Sequence, residues 1–173
     1  CSLSENRINV VVGRGKREAK LLIIGEGPGK NEDETGLPFV GRAGKLLDQI
    51  LESVGIDSNE DSYISNIVKC RPPENRKPSI EEMEACEPWL KEQIRLINPK
   101  IILLVGATAV EGILGTKEGI TKIRGSWIKR DGYLYMPIFH PSYLLRNSSK
   151  EPGKPKWLTW QDMKKVKKKL DSI

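Results

Sequence analysis

A chain of 173 residues is long enough for one domain with a substantial core, and its 38% hydrophobic content holds no apolar run that could span a membrane. The net charge is +6, with Lys164, Lys165, Lys167, Lys168 and Lys169 supplying much of the excess; this suits a polyanionic partner, or only a solvated helix end that favours its own dipole. Three cysteines and no visible secretion signal argue against a disulfide-stapled secreted scaffold, and for free thiols or a metal site in a reducing, cytoplasmic setting.

In chain order, residues 9–12 are a short strand candidate. Residues 21–24 form a continuous apolar run of the kind that parallel sheets bury on both faces. That run enters Gly25-Glu26-Gly27-Pro28-Gly29, a tight turn whose N–H groups can face a carbonyl or phosphate oxygen. No Gly-Lys-Ser/Thr follows, and the glycine spacing is not that of a dinucleotide fold. A plain strand-to-loop turn is the alternative. Residues 31–34 read as an acidic loop, and Phe39 sits between rigid glycine and proline punctuation, as core or as a stacking platform. Leu46, Leu47, Ile50, Leu51 and Val54 recur at helical steps and predict a helix over 43–54, ended by Gly55.

Residues 63–68 predict the next strand. Asn66 interrupts it, and an amide there must be satisfied or used. Lys69-Cys70-Arg71-Pro72-Pro73 closes the strand, and 74–78 is a polar loop. Ser79 and Glu82 form a capping box for a helix over 80–97, which Pro88 should kink or split just after Cys86. Residues 101–105 are another buried strand, and 107–114 a short helix. Residues 120–130 read as extended, with a hairpin turn at Asp131-Gly132. A buried strand over 136–139 stops at His140, the only histidine. Pro141 can open a helix there. The imidazole therefore stands at a strand's carboxyl end, where open α/β sheets bind ligands, beside a helix start that offers free N–H groups. A histidine merely packed at a strand end is the alternative. Residues 147–156 are a loop and 159–170 the last helix. The alternation predicts a three-layer α/β/α fold, with a central, mostly parallel sheet of about four strands, as one domain over residues 1–173.

Four segments together resemble the uracil-DNA glycosylase superfamily, most closely its iron–sulfur branch, family four. They are Gly25 to Gly29, Gly36-Leu37-Pro38-Phe39-Val40-Gly41, Asn66 to Pro73, and His140-Pro141-Ser142-Tyr143-Leu144-Leu145-Arg146. The resemblance covers essentially the whole chain, and its last two motifs are long and specific. It implies a monomeric enzyme that flips uracil out of single- or double-stranded DNA, hydrolyses its N-glycosidic bond and leaves an abasic site.

The residue chemistry agrees with the roles that the resemblance implies. An amide in a fixed rotamer can accept from the uracil ring N–H and donate to O4, and it mismatches cytosine at both atoms. Asn66 matches that reader, and Phe39 matches the ring on which an extruded base stacks. Cleavage leaves negative charge on uracil O2, so a donor aimed there stabilises the transition state more than the ground state. His140 matches this donor, as a neutral imidazole. Backbone N–H groups of Gly25, Gly27 and Gly29 would add donors around the base or a flanking phosphate. Better-known branches carry an Asp where this chain has Gly27, so leaving-group stabilisation should dominate. Glu26 is a candidate to hold the water, and Glu32 to fill the space beside C5 and exclude thymine. Ser142, Leu144, Leu145 and Arg146 match the segment that enters the minor groove, as an apolar wedge with a phosphate-holding arginine. Consecutive leucines on a helix usually split between core and surface, so one of the two should be exposed.

The resemblance also implies four cysteine ligands for a [4Fe–4S] cluster. Cys70 and Cys86 match two of them, and Cys1 matches the second of a closely spaced N-terminal pair; the fourth is expected upstream of Cys1. Other readings are weaker. A covalent uracil-trapping branch carries a histidine in the loop that is here Glu74-Asn75-Arg76-Lys77-Pro78. A non-catalytic iron–sulfur DNA-binding module has no need of a base-reading pocket. A nucleotide hydrolase would want a carboxylate cluster for Mg²⁺, and Glu32-Asp33-Glu34 is its only candidate.

Overall fold

The computed structural model describes residues 1–173. Its strands are β1 (Arg14–Gly15), β2 (Leu21–Gly25), β3 (Ser62–Asn66), β4 (Ile101–Val105), β5 (Ile128–Arg130) and β6 (Tyr133–Ile138). Its helices are α1 (Lys30–Thr35), α2 (Arg42–Glu52), α3 (Ile80–Ile97), α4 (Ala107–Leu114), α5 (Ile120–Ile123), α6 (Pro141–Arg146) and α7 (Pro155–Asp171). No helix is long and apolar enough to cross a membrane.

The six strands form one sheet in the order β1-β3-β2-β4-β6-β5. Four are parallel, β3-β2-β4-β6, and a short antiparallel strand closes each edge. The sheet is therefore wider than the expected four strands, although its parallel part has that number. Both edge strands are two or three residues long, which limits the unpaired backbone they present.

The pleat sorts the apolar runs between two helical layers. Leu22, Ile24, Ile102 and Leu104 pack with Met83, Leu90 and Ile94 of α3 and Val110 of α4. Leu21, Ile23, Ile101, Leu103 and Val105 pack with Leu47 and Leu51 of α2 and Met163 and Val166 of α7. All nine residues of the runs 21–24 and 101–105 are fully buried, as strands covered on both faces require.

Several local expectations change. Residues 9–12 make no strand; Val11 donates instead to the Lys69 carbonyl (2.7 Å), and the strand falls at Arg14–Gly15. The acidic stretch is helix α1, not a loop, because Glu32 reaches back to its cap at Gly29. Helix α3 has its capping box at Ser79 and Glu82 and spans Ile80–Ile97 without a break at Pro88. Residues 120–130 are a short helix, a turn and β5 rather than one extended segment. Helix α7 begins at Pro155, four residues earlier than its apolar spacing indicated.

Candidate active site

The parallel strands end on one edge, and the sequence motifs follow those ends. Gly25 and Asn66 are register partners, the last residues of β2 and β3. Gly106 follows β4 and donates to the Ile138 carbonyl (2.9 Å), which brings it beside His140 after β6. The chain leaves the centre of the sheet in opposite directions here, which opens a crevice for ligands. A cavity of about 370 Å³ lies over this edge. Glu26, Gly27, Gly29, Glu32, Phe39, Asn66, His140 and Ser142 all line it.

Gly25 is buried against Phe39 and Asn66 and does not itself line the cavity. A methyl group there would run into the Phe39 ring and would stand 2.6 Å from Asn66 Oδ1, so the absent side chain is what lets ring and amide meet. A methyl at Gly27 would stand 2.7 Å from Val68 Cγ2, which leaves no room for a carboxylate on this backbone. Asn66 is 2% exposed, and its Oδ1 is the only buried side-chain polar atom without a hydrogen-bond partner. Such an atom is costly to leave unpaired.

His140 caps α6. Its Nδ1 accepts from the Ser142 N–H (3.1 Å) and lies 2.7 Å from Ser142 Oγ. A ring nitrogen that accepts from a backbone N–H carries no proton, so the neutral ring carries its proton on Nε2. Burial, with the nearby Arg146 charge adding to it, pushes the imidazolium down to about 4. The ring is thus held neutral, mainly by its burial. The Phe39 and His140 ring centroids are 6.1 Å apart.

Phe39 has φ 53°, a left-handed conformation that is rare for an aromatic residue. Arg14 fixes it, donating to the carbonyls of Pro38 (2.8 Å) and Phe39 (3.2 Å) while its guanidinium also holds Asp48 (3.0 Å). Glu32 completes the frame. Its Oε1 accepts from Gly29 N (3.0 Å), and its Oε2 from Val40 N (2.9 Å) and Gly41 N (2.7 Å). This carboxylate joins the glycine turn to the Phe39 loop, and Glu32 also lines the cavity. Asp33 accepts from Ile8 N and Asn9 N, so the acidic run offers no open Mg²⁺ site.

Glu26 Oε2 accepts from Thr108 Oγ1 (2.6 Å), and its Oε1 has no protein partner. Thr108 lies 82 residues away on α4, and no local sequence signal marked it. Lys30 and Arg42, both exposed at the cavity mouth, were also missed. Their glycine-flanked positions at helix starts were the available signal. Of the four residues assigned to DNA, only Ser142 reaches the cavity. Leu144 is fully buried and packs as core; this corrects its assignment as a wedge. Leu145 is partly exposed and Arg146 exposed.

The cysteines lie apart from this cavity. Cys1, Cys70 and Cys86 line a second cavity of about 510 Å³, bounded by the N-terminal segment, the 68–70 stretch and α3. All three are free thiols, and they stand around that space without closing into a ligand set of their own. Lys69, also on its lining, is 5% exposed; burial pushes its ammonium down to about 8, against the opposing pull of Cys86.

The pattern of the uracil DNA glycosylase superfamily matches residues 12–164. This chain belongs to that superfamily. Within it, the chain is 49% identical to a type-4 uracil-DNA glycosylase of Thermotoga maritima, over 96% of this chain and 86% of that protein. It is 41% identical to a type-4 enzyme of Saccharolobus solfataricus, over 99% of this chain and 81% of the relative. A third type-4 relative, from Sulfurisphaera tokodaii, is 39% identical over 96% of this chain and 77% of its own length. As a superfamily member of this kind, the chain carries the glycine turn, the Phe39 loop, the Asn66 strand end and the His140 helix cap around one cavity.

Proposed function

We infer that the protein is a monofunctional uracil-DNA glycosylase of the type-4 kind, which takes uracil from DNA and leaves an abasic site. The observation that carries this reading is the orphaned Asn66 Oδ1 in a cavity that also holds a neutral, Nε2-protonated His140. An extruded uracil supplies the ring N–H that Oδ1 lacks, and the Asn66 amide donates to O4. Cytosine offers a bare ring nitrogen to Oδ1, so both atoms stay unsatisfied. Phe39 stacks the base. His140 Nε2–H takes the charge that develops on O2 as the glycosidic bond breaks. Its imidazole stays neutral before the reaction, so the donor does not have to be made by protonation. Glu26, held by Thr108 through Oε2, keeps Oε1 for the attacking water. Lys30, Arg42 and Arg146 hold flanking phosphates, and Leu145 fills the gap left in the duplex.

The second cavity fits an iron–sulfur cluster in its chemistry: three thiols and a buried cation with no carboxylate partner surround it. Cys1, Cys70 and Cys86 would supply three thiolates of the set. Held by these residues, such a cluster would tie the segment after β3 to α3. The brown visible absorbance of a cubane cluster, lost on Cys86→Ala, is the check on this assignment.

The deciding experiment is base release from a labelled uracil oligonucleotide, read by alkaline cleavage, with wild type beside Asn66→Asp. Multiple turnover by the wild type is expected, with kcat/KM reduced about 10- to 100-fold in the variant, equivalent to about 1–3 kcal/mol for a mismatched buried polar contact. Retained DNA binding without any base release would overturn the reading and favour a binding module or a covalent trap.

A further inference from the structure

Lys69 is a buried cation that the excision chemistry leaves without a role. Its ammonium donates to Ser65 Oγ (2.7 Å), to the Asn66 carbonyl (2.7 Å) and to Gln93 Oε1 (2.5 Å). All three acceptors are neutral, and no carboxylate lies within ion-pair distance. A buried charge without a counter-charge is expensive. The acids that line the neighbouring cavity do not supply one: Glu82 is paired with Arg76 (2.6 Å) and Glu92 with Arg95 (2.5 Å). Arg7, on the same lining, has no acidic partner either. With those two acids paired, the cavity is left with Lys69 and Arg7 as cations without a counter-charge, beside three thiols.

The backbone around Lys69 leads straight to the base pocket. Ile67 N donates to the Gly25 carbonyl (2.8 Å), and Val68 N to the Glu26 carbonyl (3.2 Å). The Lys69 side chain folds back over this stretch and grips the carbonyl of Asn66 itself. One side chain thus touches both the cysteine cavity and the residue whose amide faces the base.

We propose that Lys69 is a positioning residue that couples the two cavities. Its ammonium is the counter-charge of a thiolate-bound iron–sulfur cluster, and its grip on the Asn66 carbonyl holds the uracil reader in place. This rests on the reading above that the cysteine cavity holds a cluster and that Asn66 reads uracil. The opposite charge of such a cluster would offset the cost of burying the ammonium while its three hydrogen bonds stay in place.

The test uses cluster-loaded protein, with Lys69→Met and Gln93→Glu beside wild type. Lys69→Met removes the cation. Gln93→Glu keeps the lysine and its packing but gives it an anionic partner, so it remains informative if the methionine variant fails to fold. The cluster's midpoint reduction potential, read spectroelectrochemically without DNA, should move to more negative values in both, because adding an electron beside less positive charge is harder. For Lys69→Met, kcat for uracil release should also fall about 10-fold while KM for DNA changes little. Potentials that stay in place or move positive would overturn the counter-charge role, and an unchanged kcat in Lys69→Met would overturn the grip on Asn66. A wild type that releases no uracil would overturn the excision reading together with that grip, while the potentials would still decide the counter-charge.

Discussion

At the scale of single residues, the pocket works by leaving things out. Gly25 contributes no side chain so that Phe39 and Asn66 can share one wall, and Asn66 Oδ1 is left without a protein partner. Gly25→Ala would put a methyl 2.6 Å from Oδ1. We expect it to abolish most uracil release and to cost about 1–3 kcal/mol of stability, since the buried ring and amide must both shift; normal kcat in the folded variant would show that the base sits elsewhere. His140 is governed by burial. An ordinary histidine titrates near 6.5, whereas this one is held down to about 4. The unfolded chain therefore takes up a proton that the folded chain refuses. The stability tied to this histidine is complete above about pH 6.5 and is lost as pH falls toward 4. Activity should follow the folded value: kcat/KM should show no inflection near 6.5, and its acid limb should lie near 4. A pH profile of single-turnover base release checks this, and an inflection at 6.5 that His140→Asn removes would mean that the ring is solvated.

At the scale of elements, the most informative case is α6. Its sequence places two leucines in succession, and only the docking of the helix on α2 decides between them. Leu144 lies in the core, beside Leu46 and Ile50 of α2, and Leu145 is left toward solvent. Leu144→Ala should cost about 2–5 kcal/mol of stability, as a fully buried leucine does. Leu145→Ala should leave the denaturation midpoint unchanged and weaken uracil release from duplex DNA more than from single strands, where no gap has to be filled. Equal effects on both substrates would remove Leu145 from the wedge role. The buried runs 21–24 and 101–105 and the capping box of α3 were legible because each depends on a short run of residues, whereas the strand read over 63–68 ends at Asn66. The Phe39 loop was legible only as punctuation: its left-handed φ depends on Arg14, which is 25 residues away. Thr108 was not legible at all, since its partner Glu26 is set by strand order, and the burial of Lys69 was not legible because its distant partner Gln93 arrives only with the docking of α3.

At the scale of the molecule, α7 closes one face of the sheet, and a buried ion pair fastens it. Asp162, fully buried, accepts two hydrogen bonds from Arg124, the one to Nε at 2.7 Å. Lys165 adds a bond to the Gly125 carbonyl (2.9 Å). Asp162→Ala strands the guanidinium and should cost about 3 kcal/mol, at the low end for a broken buried pair because Arg124 keeps 17% of its side chain exposed. Chemical denaturation would measure it, and the folded fraction should keep its normal kcat. A variant with unchanged stability would show that α7 is held by Met163 and Val166 alone.

The sequence by itself determined the layered α/β architecture, because apolar runs of strand length alternate with helical spacing and each run can be buried in only one way. It also marked the candidate site residues: an imidazole and a glycine turn stand where hydrophobic runs stop, and an amide interrupts another. Tertiary structure decided what those residues do to one another. Sheet order brought β2 beside β3 and so set Gly25 against Asn66; helix docking buried Leu144 instead of Leu145; the Phe39 loop was joined to the Glu32 carboxylate. These outcomes depend on contacts between segments far apart in the chain, and a one-dimensional pattern carries no term for them.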